Sequence, residues 1–138
     1  MLNSSDSAVT LLNQAEDLRL ASSYEDACLK YKEALALYES TQDLTGQAHV
    51  HRGLAEVFRM KDEFESAQTS FNLALPLYSQ VEHYQGSGMT HLGLGQLYRV
   101  TDDTEQARME YDRALSCFQR CQDVLGEADV YVELGRLN

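Results

Sequence analysis

The residues able to do chemistry in this chain are few, and they are spaced for binding rather than bond-making. Arg19, Arg59 and Arg99 stand 40 residues apart. A guanidinium is a planar fork that grips a carboxylate through two hydrogen bonds, which a lysine cannot copy. The same arginines could instead pair within their own helices, because Glu16 and Glu56 lie three residues before Arg19 and Arg59, a spacing that permits ion pairs. Gln96 and Arg136 stand where the acid would recur, leaving Arg99 and Arg136 without it and making the C-terminal half the anion-favouring end.

The remaining reactive groups make no catalytic set. His49 and His51 are two apart and face different sides of a helix, while His51 and His91 occupy one repeat position and read as amphipathic packing residues. Cys28, Cys117 and Cys121 lack the paired spacing of zinc sites and the density of a disulfide scaffold, so they read as reduced core thiols. Cys117 and Cys121 share a helix face, but no further ligand completes a metal set. There is no G-x-S-x-G, H-E-x-x-H or phosphate-binding glycine loop; Gly86-x-Gly88 and Gly93-x-Gly95 read as junction and packing glycines. The expectation is a non-enzyme without metal or cofactor.

The elements that position these residues repeat every 40 positions: Ala27, Ala67 and Ala107; Tyr31, Phe71 and Tyr111; Ala34, Ala74 and Ala114; Leu35, Leu75 and Leu115; Tyr38, Tyr78 and Phe118; Gly46, Gly86 and Gly126; Leu54, Leu94 and Leu134. A fixed period of this length with helical apolar spacing marks a helical solenoid. Ser22-x-x-Glu25, Asp62-x-x-Glu65 and Asp102-x-x-Glu105 read as capping boxes that start helices. Breakers at Asp43–Gly46, His83–Gly86 and Gln122–Gly126 separate the two helices of each unit. The resulting helices are 7–21, 24–41, 44–60, 64–80, 84–100, 104–121 and 124–137, in pairs 7–41, 44–80 and 84–121 with 124–137 unpaired and 1–6 disordered, all in one domain over 1–138. Ala15, Ala55, Gly95 and Gly135 are expected to let helix backbones approach. Pro76, inside 64–80, is expected to kink its helix on the convex side.

Composition narrows the partner class. With 22 acidic against 11 basic residues and a net charge of −11, the chain repels nucleic acid and anionic membranes in the far field. No stretch reaches the roughly 20 apolar residues of a membrane span, and Met1–Ser7 lacks the regions of a signal peptide, which points to the cytosol. The amphipathic last helix, carrying Val124, Ala128, Tyr131, Leu134 and Leu137, either belongs to a longer array or is covered by a homodimer through Tyr131, Leu134 and Leu137.

Leu54-Ala55-x-x-Phe58 with Ala67, Phe71 and Ala74 resembles a tetratricopeptide repeat, and Leu94-Gly95-x-x-Tyr98 with Ala107, Tyr111 and Ala114 resembles the next. The 40-residue length and the Tyr38, Asp43, Gly46 junction are similar to the longer repeats of Partner-of-Inscuteable scaffolds and kinesin light chains. His51 and His91 stand where that family often has Trp, and Gln14 replaces a usual Leu. The resemblance implies an all-α, right-handed superhelix of antiparallel helix pairs whose first helices line a concave groove. Stepped through the repeats, the groove positions are Val9, His49, Met89 and Asp129; Leu12, Arg52, Leu92 and Val132; Glu16, Glu56, Gln96 and Arg136; and Arg19, Arg59 and Arg99.

The Lys and Asn set that clamps a C-terminal carboxylate, and the Asn after Leu-Gly of Inscuteable-binding scaffolds, are missing. The function implied is capture of another protein's peptide or helix, an acidic one if the arginines face it. The alternatives are a structural self-assembly element and a sensor array belonging to a larger signalling protein.

Overall fold

In the computed structural model, which describes residues 3–137, seven helices follow one another at a constant step of twenty: α1 (Ser4–Leu20), α2 (Tyr24–Ser40), α3 (Leu44–Met60), α4 (Phe64–Gln80), α5 (Tyr84–Val100), α6 (Thr104–Arg120) and α7 (Val124–Arg136). Every connection is three residues long, and the hydrogen bonding explains how so few suffice. After α1 the amide of Ser23 donates to the Leu18 carbonyl and that of Ser22 to the Arg19 carbonyl, the double closure that ends a helix with one left-handed residue. The same pair of bonds recurs at each of the other five junctions. The left-handed residues are Ser22, Gln42, Asp62, Glu82, Asp102 and Gln122, with φ of 55–63°.

The residue that completes this closure also opens the next helix. Asp43, Asp103 and Asp123 accept through Oδ1 from the amides of Gly46, Gln106 and Gly126 at 2.9, 3.2 and 3.0 Å, and His83 does so through Nδ1 from Gly86 at 2.9 Å. Each satisfies one of the orphan donors of a helix start. The expected capping boxes are therefore displaced by one residue: Ser22, Asp62 and Asp102 are not caps but the left-handed ends of the preceding helices. Ser23, which follows the first of them, makes no side-chain cap bond. At the N-terminus, Asn3 accepts from the Asp6 amide at 2.8 Å, so α1 begins at Ser4 rather than at residue 7. Of the segment expected to be disordered, residues 3–6 are thus ordered by this cap, and Met1 and Leu2 lie outside the described residues. Helix α4 continues through Pro76, whose side chain is exposed.

The chain divides into two compact units, Met1–Leu77 and Tyr78–Asn138. In the first, α1 packs on α2 and α2 on α3, and connections this short force each helix to run back along its predecessor. The core joins Ala8 and Ala15 of α1, Ala27, Tyr31, Ala34 and Tyr38 of α2, and Val50, Leu54 and Val57 of α3. Large residues meet small ones: a Cβ at Gly53 would lie 2.4 Å from Tyr31 Cζ, and one at Gly46 would lie 2.2 Å from Tyr38 Cδ1. Burying such a ring contributes roughly 4–6 kcal/mol before entropy is counted.

The second unit repeats the scheme. Ala107, Tyr111, Ala114 and Phe118 of α6 and Val130 of α7 are buried, with Leu92, Tyr98, Leu115, Leu134 and Leu137 packed against them. Tyr111 closes on Gly95, and Phe118 on Gly88 and Gly126. Of the small residues expected at close helix contacts, Gly135 is the exception, since a Cβ there would meet nothing within 4 Å.

Candidate partner-binding surface

The odd-numbered helices carry the polar positions singled out in the sequence, and α1 touches α3 in the first unit as α5 touches α7 in the second. Arg19, His49, Arg52, Glu56 and Arg59 are all half-buried on α1 and α3. On the same two helices Val9, Leu20 and Met60 are exposed. In the second unit Met89 is exposed, Leu92 and Gln96 are half-buried on α5, and α7 presents Asp129, Val132 and Arg136.

In the first unit Arg19 and Arg59 are each held by the acid one turn before them. Both Nε and Nη2 of Arg59 donate to Glu56 Oε2, at 3.1 and 2.7 Å. Arg19 is clamped in the same way by Glu16, and its Nε also donates to the Tyr31 hydroxyl at 3.0 Å. Burial alone would lower the Arg19 pKa, but the hydrogen bond and charge of Glu16 outweigh it and the net shift is upward. Burial and the Glu16 charge push the Tyr31 phenol up in turn. Arg19 and Arg59 are thus neutralised locally, as intrahelical pairing predicts.

The second unit solves the same problem differently, and here one expectation fails. Arg99 and Arg136 do have an acidic partner. Glu133 of α7, only 5% exposed, receives Arg136 Nη1 on Oε1 at 2.8 Å and the Tyr111 hydroxyl on Oε2 at 3.2 Å. Arg99 Nε stands 3.6 Å from the same Oε2, beyond hydrogen-bond range, and this buried nitrogen has no hydrogen-bond partner. Burial and the adjacent Glu133 charge push the Tyr111 phenol up to about 12. The sequence carried a sign of this cluster: the 40-residue step that gives Gly53 and Gly93 gives Glu133 next.

The histidines and cysteines also depart from simple packing. His91 Nδ1 bonds Glu110 Oε2 at 2.7 Å, and Arg113 Nη1 meets the other oxygen at 2.6 Å, so His91 joins α5 to α6 through a buried carboxylate. Burial lowers the His51 pKa below its ordinary value, against a smaller opposing effect of Glu39. Cys28 and Cys117 are half-buried thiols whose pKa values burial raises, whereas Cys121 is exposed at the end of α6 and is not a core residue. Among the described residues no group of three or more His, Cys, Asp or Glu is placed to hold a metal, and no helix is long and apolar enough to cross a membrane. On α7 the exposed large apolar residues are Val124, Leu125, Tyr131 and Val132. Leu134 and Leu137, expected at a dimer face, pack inward instead.

This arrangement of helices is shared with known structures. BtubC (BKLC) from P. vanneervenii matches 99% of this chain with a TM-score of 0.84 at 19% identity, and this chain spans 57% of that one's length. The TPR domain of Arabidopsis FLU matches 86% of this chain and 99% of its own, with a TM-score of 0.77 at 19% identity. A TPR-like protein of Chlorobium tepidum matches 97% of this chain and 96% of its own, with a TM-score of 0.73 at 14% identity. No curated protein matches the sequence. The tetratricopeptide repeat model covers residues 6–80, more than half of the chain and its first four helices but for two residues of α1, and with the all-α pairing of glycines and aromatics described above it shows that this protein belongs to the tetratricopeptide repeat family.

Proposed function

We propose that this chain is a non-catalytic, cytoplasmic interaction module that captures a peptide or helix of another protein on its odd-numbered helices. The family commonly mediates protein–protein contacts. The observation that carries the reading is the mixed surface of α5 and α7: Met89 and Val132 are 39% and 54% exposed beside Gln96, Arg99 and Arg136. Accessible apolar groups set among fixed charges suit a protein ligand better than a small molecule. Leu92 adds to this surface of the second unit, and Arg19, His49, Arg52, Glu56 and Arg59 offer the corresponding positions on the first unit by itself.

The test is capture of partners from lysate by the wild-type chain and by a Met89→Asp, Val132→Asp variant. Both positions are exposed, so the variant should keep its helical circular dichroism. Partners lost from the variant alone would support the reading; an unchanged set would refute it. A second reading, self-association, is favoured by the exposed Val124, Leu125 and Tyr131 of α7. Light scattering that shows a concentration-dependent dimer, abolished by Leu125→Asp, would select it.

A further inference from the structure

The Arg99, Glu133, Arg136 cluster joins two guanidinium groups to one carboxylate, so it carries a net positive charge in a chain of net charge −11. We infer that it is a recognition site for an acidic side chain of the partner, whose carboxylate bridges the outer nitrogens of Arg99 and Arg136. The inference deepens the proposed interaction role and rests on it only in taking the ligand to be part of a protein.

Three observations support it. First, the first unit shows what these positions do when the charge is balanced: Glu16 and Glu56 each clamp the arginine one turn later, whereas position 96 is a neutral glutamine. Second, Glu133 does not replace that clamp. It accepts hydrogen bonds from Arg136 and Tyr111, whereas Arg99 meets it only as a 3.6 Å ion pair through an Nε that makes no hydrogen bond, so the Arg99 guanidinium can turn toward a second carboxylate without losing a hydrogen bond at that nitrogen. Third, both arginines reach solvent, with side chains 35% and 57% exposed, while the carboxylate beneath them is 7% exposed. An arriving anion therefore meets the cations and is shielded from Glu133. Arginine forks favour a planar carboxylate, which takes two parallel hydrogen bonds.

The experiment titrates the purified chain with an N-acetylated hexaglutamate amide, with hexaglutamine as neutral control and inorganic phosphate as a second anion, reading the arginine Nε–Hε resonances by nitrogen-15 NMR. Hexaglutamate is expected to shift Arg99 and Arg136 saturably, with hexaglutamine inert and phosphate weaker. Gln96→Glu, which restores the internal acid of the first unit, should weaken binding about tenfold, and Arg136→Gln by a similar factor. Arg108→Gln, an exposed change of the same charge on α6, should leave it within about twofold. Backbone spectra establish that each variant is folded. Equal shifts at Arg19 and Arg59, wild-type affinity in Gln96→Glu, or a phosphate response matching that of hexaglutamate would each overturn the inference. Such a failure would leave partner capture through Met89 and Val132 standing, so the two readings fail separately.

Discussion

At the scale of single residues, the glycines that face aromatic rings set the tightest constraints. Gly53→Ala would drive a methyl group into the Tyr31 ring from 2.4 Å, and since Tyr31 is fully buried the ring has little room to move. The expected cost is about 1–3 kcal/mol, read from urea unfolding midpoints. Gly135→Ala should act in the opposite sense. It adds a methyl group to open space within α7 and should gain up to about 1 kcal/mol from helix propensity; a loss would show that position 135 is covered in solution.

His51 gives a pH test whose sign is fixed. Burial holds its folded pKa below the ordinary 6.5, so the unfolded chain takes up the proton first. Stability should therefore fall as pH drops below about 6.5 and level off beneath the folded value. His51→Gln should remove that share of the slope between pH 7.5 and 5.5 in urea melts, and an unchanged slope would refute the assignment.

At the scale of elements, the helices were legible because alanines, aromatics and glycines recur at the same step, but the residues taken as their caps were misread by one position. Asp62 and Asp102 look like caps, and each is followed at three residues by a glutamate. What decides the matter is that the preceding helix must also close, and its closure claims these residues for the left-handed position. That conformation disfavours side chains bearing Cβ. Glu82→Gly and Gln122→Gly, at φ of 55° and 57°, should each stabilise by about 0.5–1 kcal/mol in thermal melts, net of the added freedom of the unfolded chain. Pro76 sits inside α4 without an amide to give the Asn72 carbonyl. Pro76→Ala restores that donor on an exposed face and should gain about 1–3 kcal/mol. The cross-helix pairing of Glu133 was hidden for a different reason, since the repeat step reveals equivalent positions but not which helix supplies a counter-charge when the local acid is lost.

At the scale of the whole molecule, the excess of 22 acidic over 11 basic residues sets the long-range field. Arg19, Arg59 and Arg113 are spent within that field on internal partners, Glu16, Glu56 and Glu110. Added salt should screen the remaining repulsion more than it weakens these part-buried pairs. The melting temperature is therefore expected to rise by a few degrees, about 2–4 °C, between 10 and 200 mM sodium chloride. A fall would mean that the ion pairs dominate.

The three-residue junctions carry a consequence for how such a chain can change over time. Each connector ends one helix and begins the next with no spare residue, so the side that a helix presents is fixed by counting along the chain. One inserted residue within a helix would turn everything after it by about 100° and replace the surface residues beyond it with interior ones. Substitutions at the junctions are cheap, as the different residues found there attest, but small changes of length are not. Growth by duplication of whole units preserves the phase, which makes lengthening in steps of 40 residues the route open to this architecture.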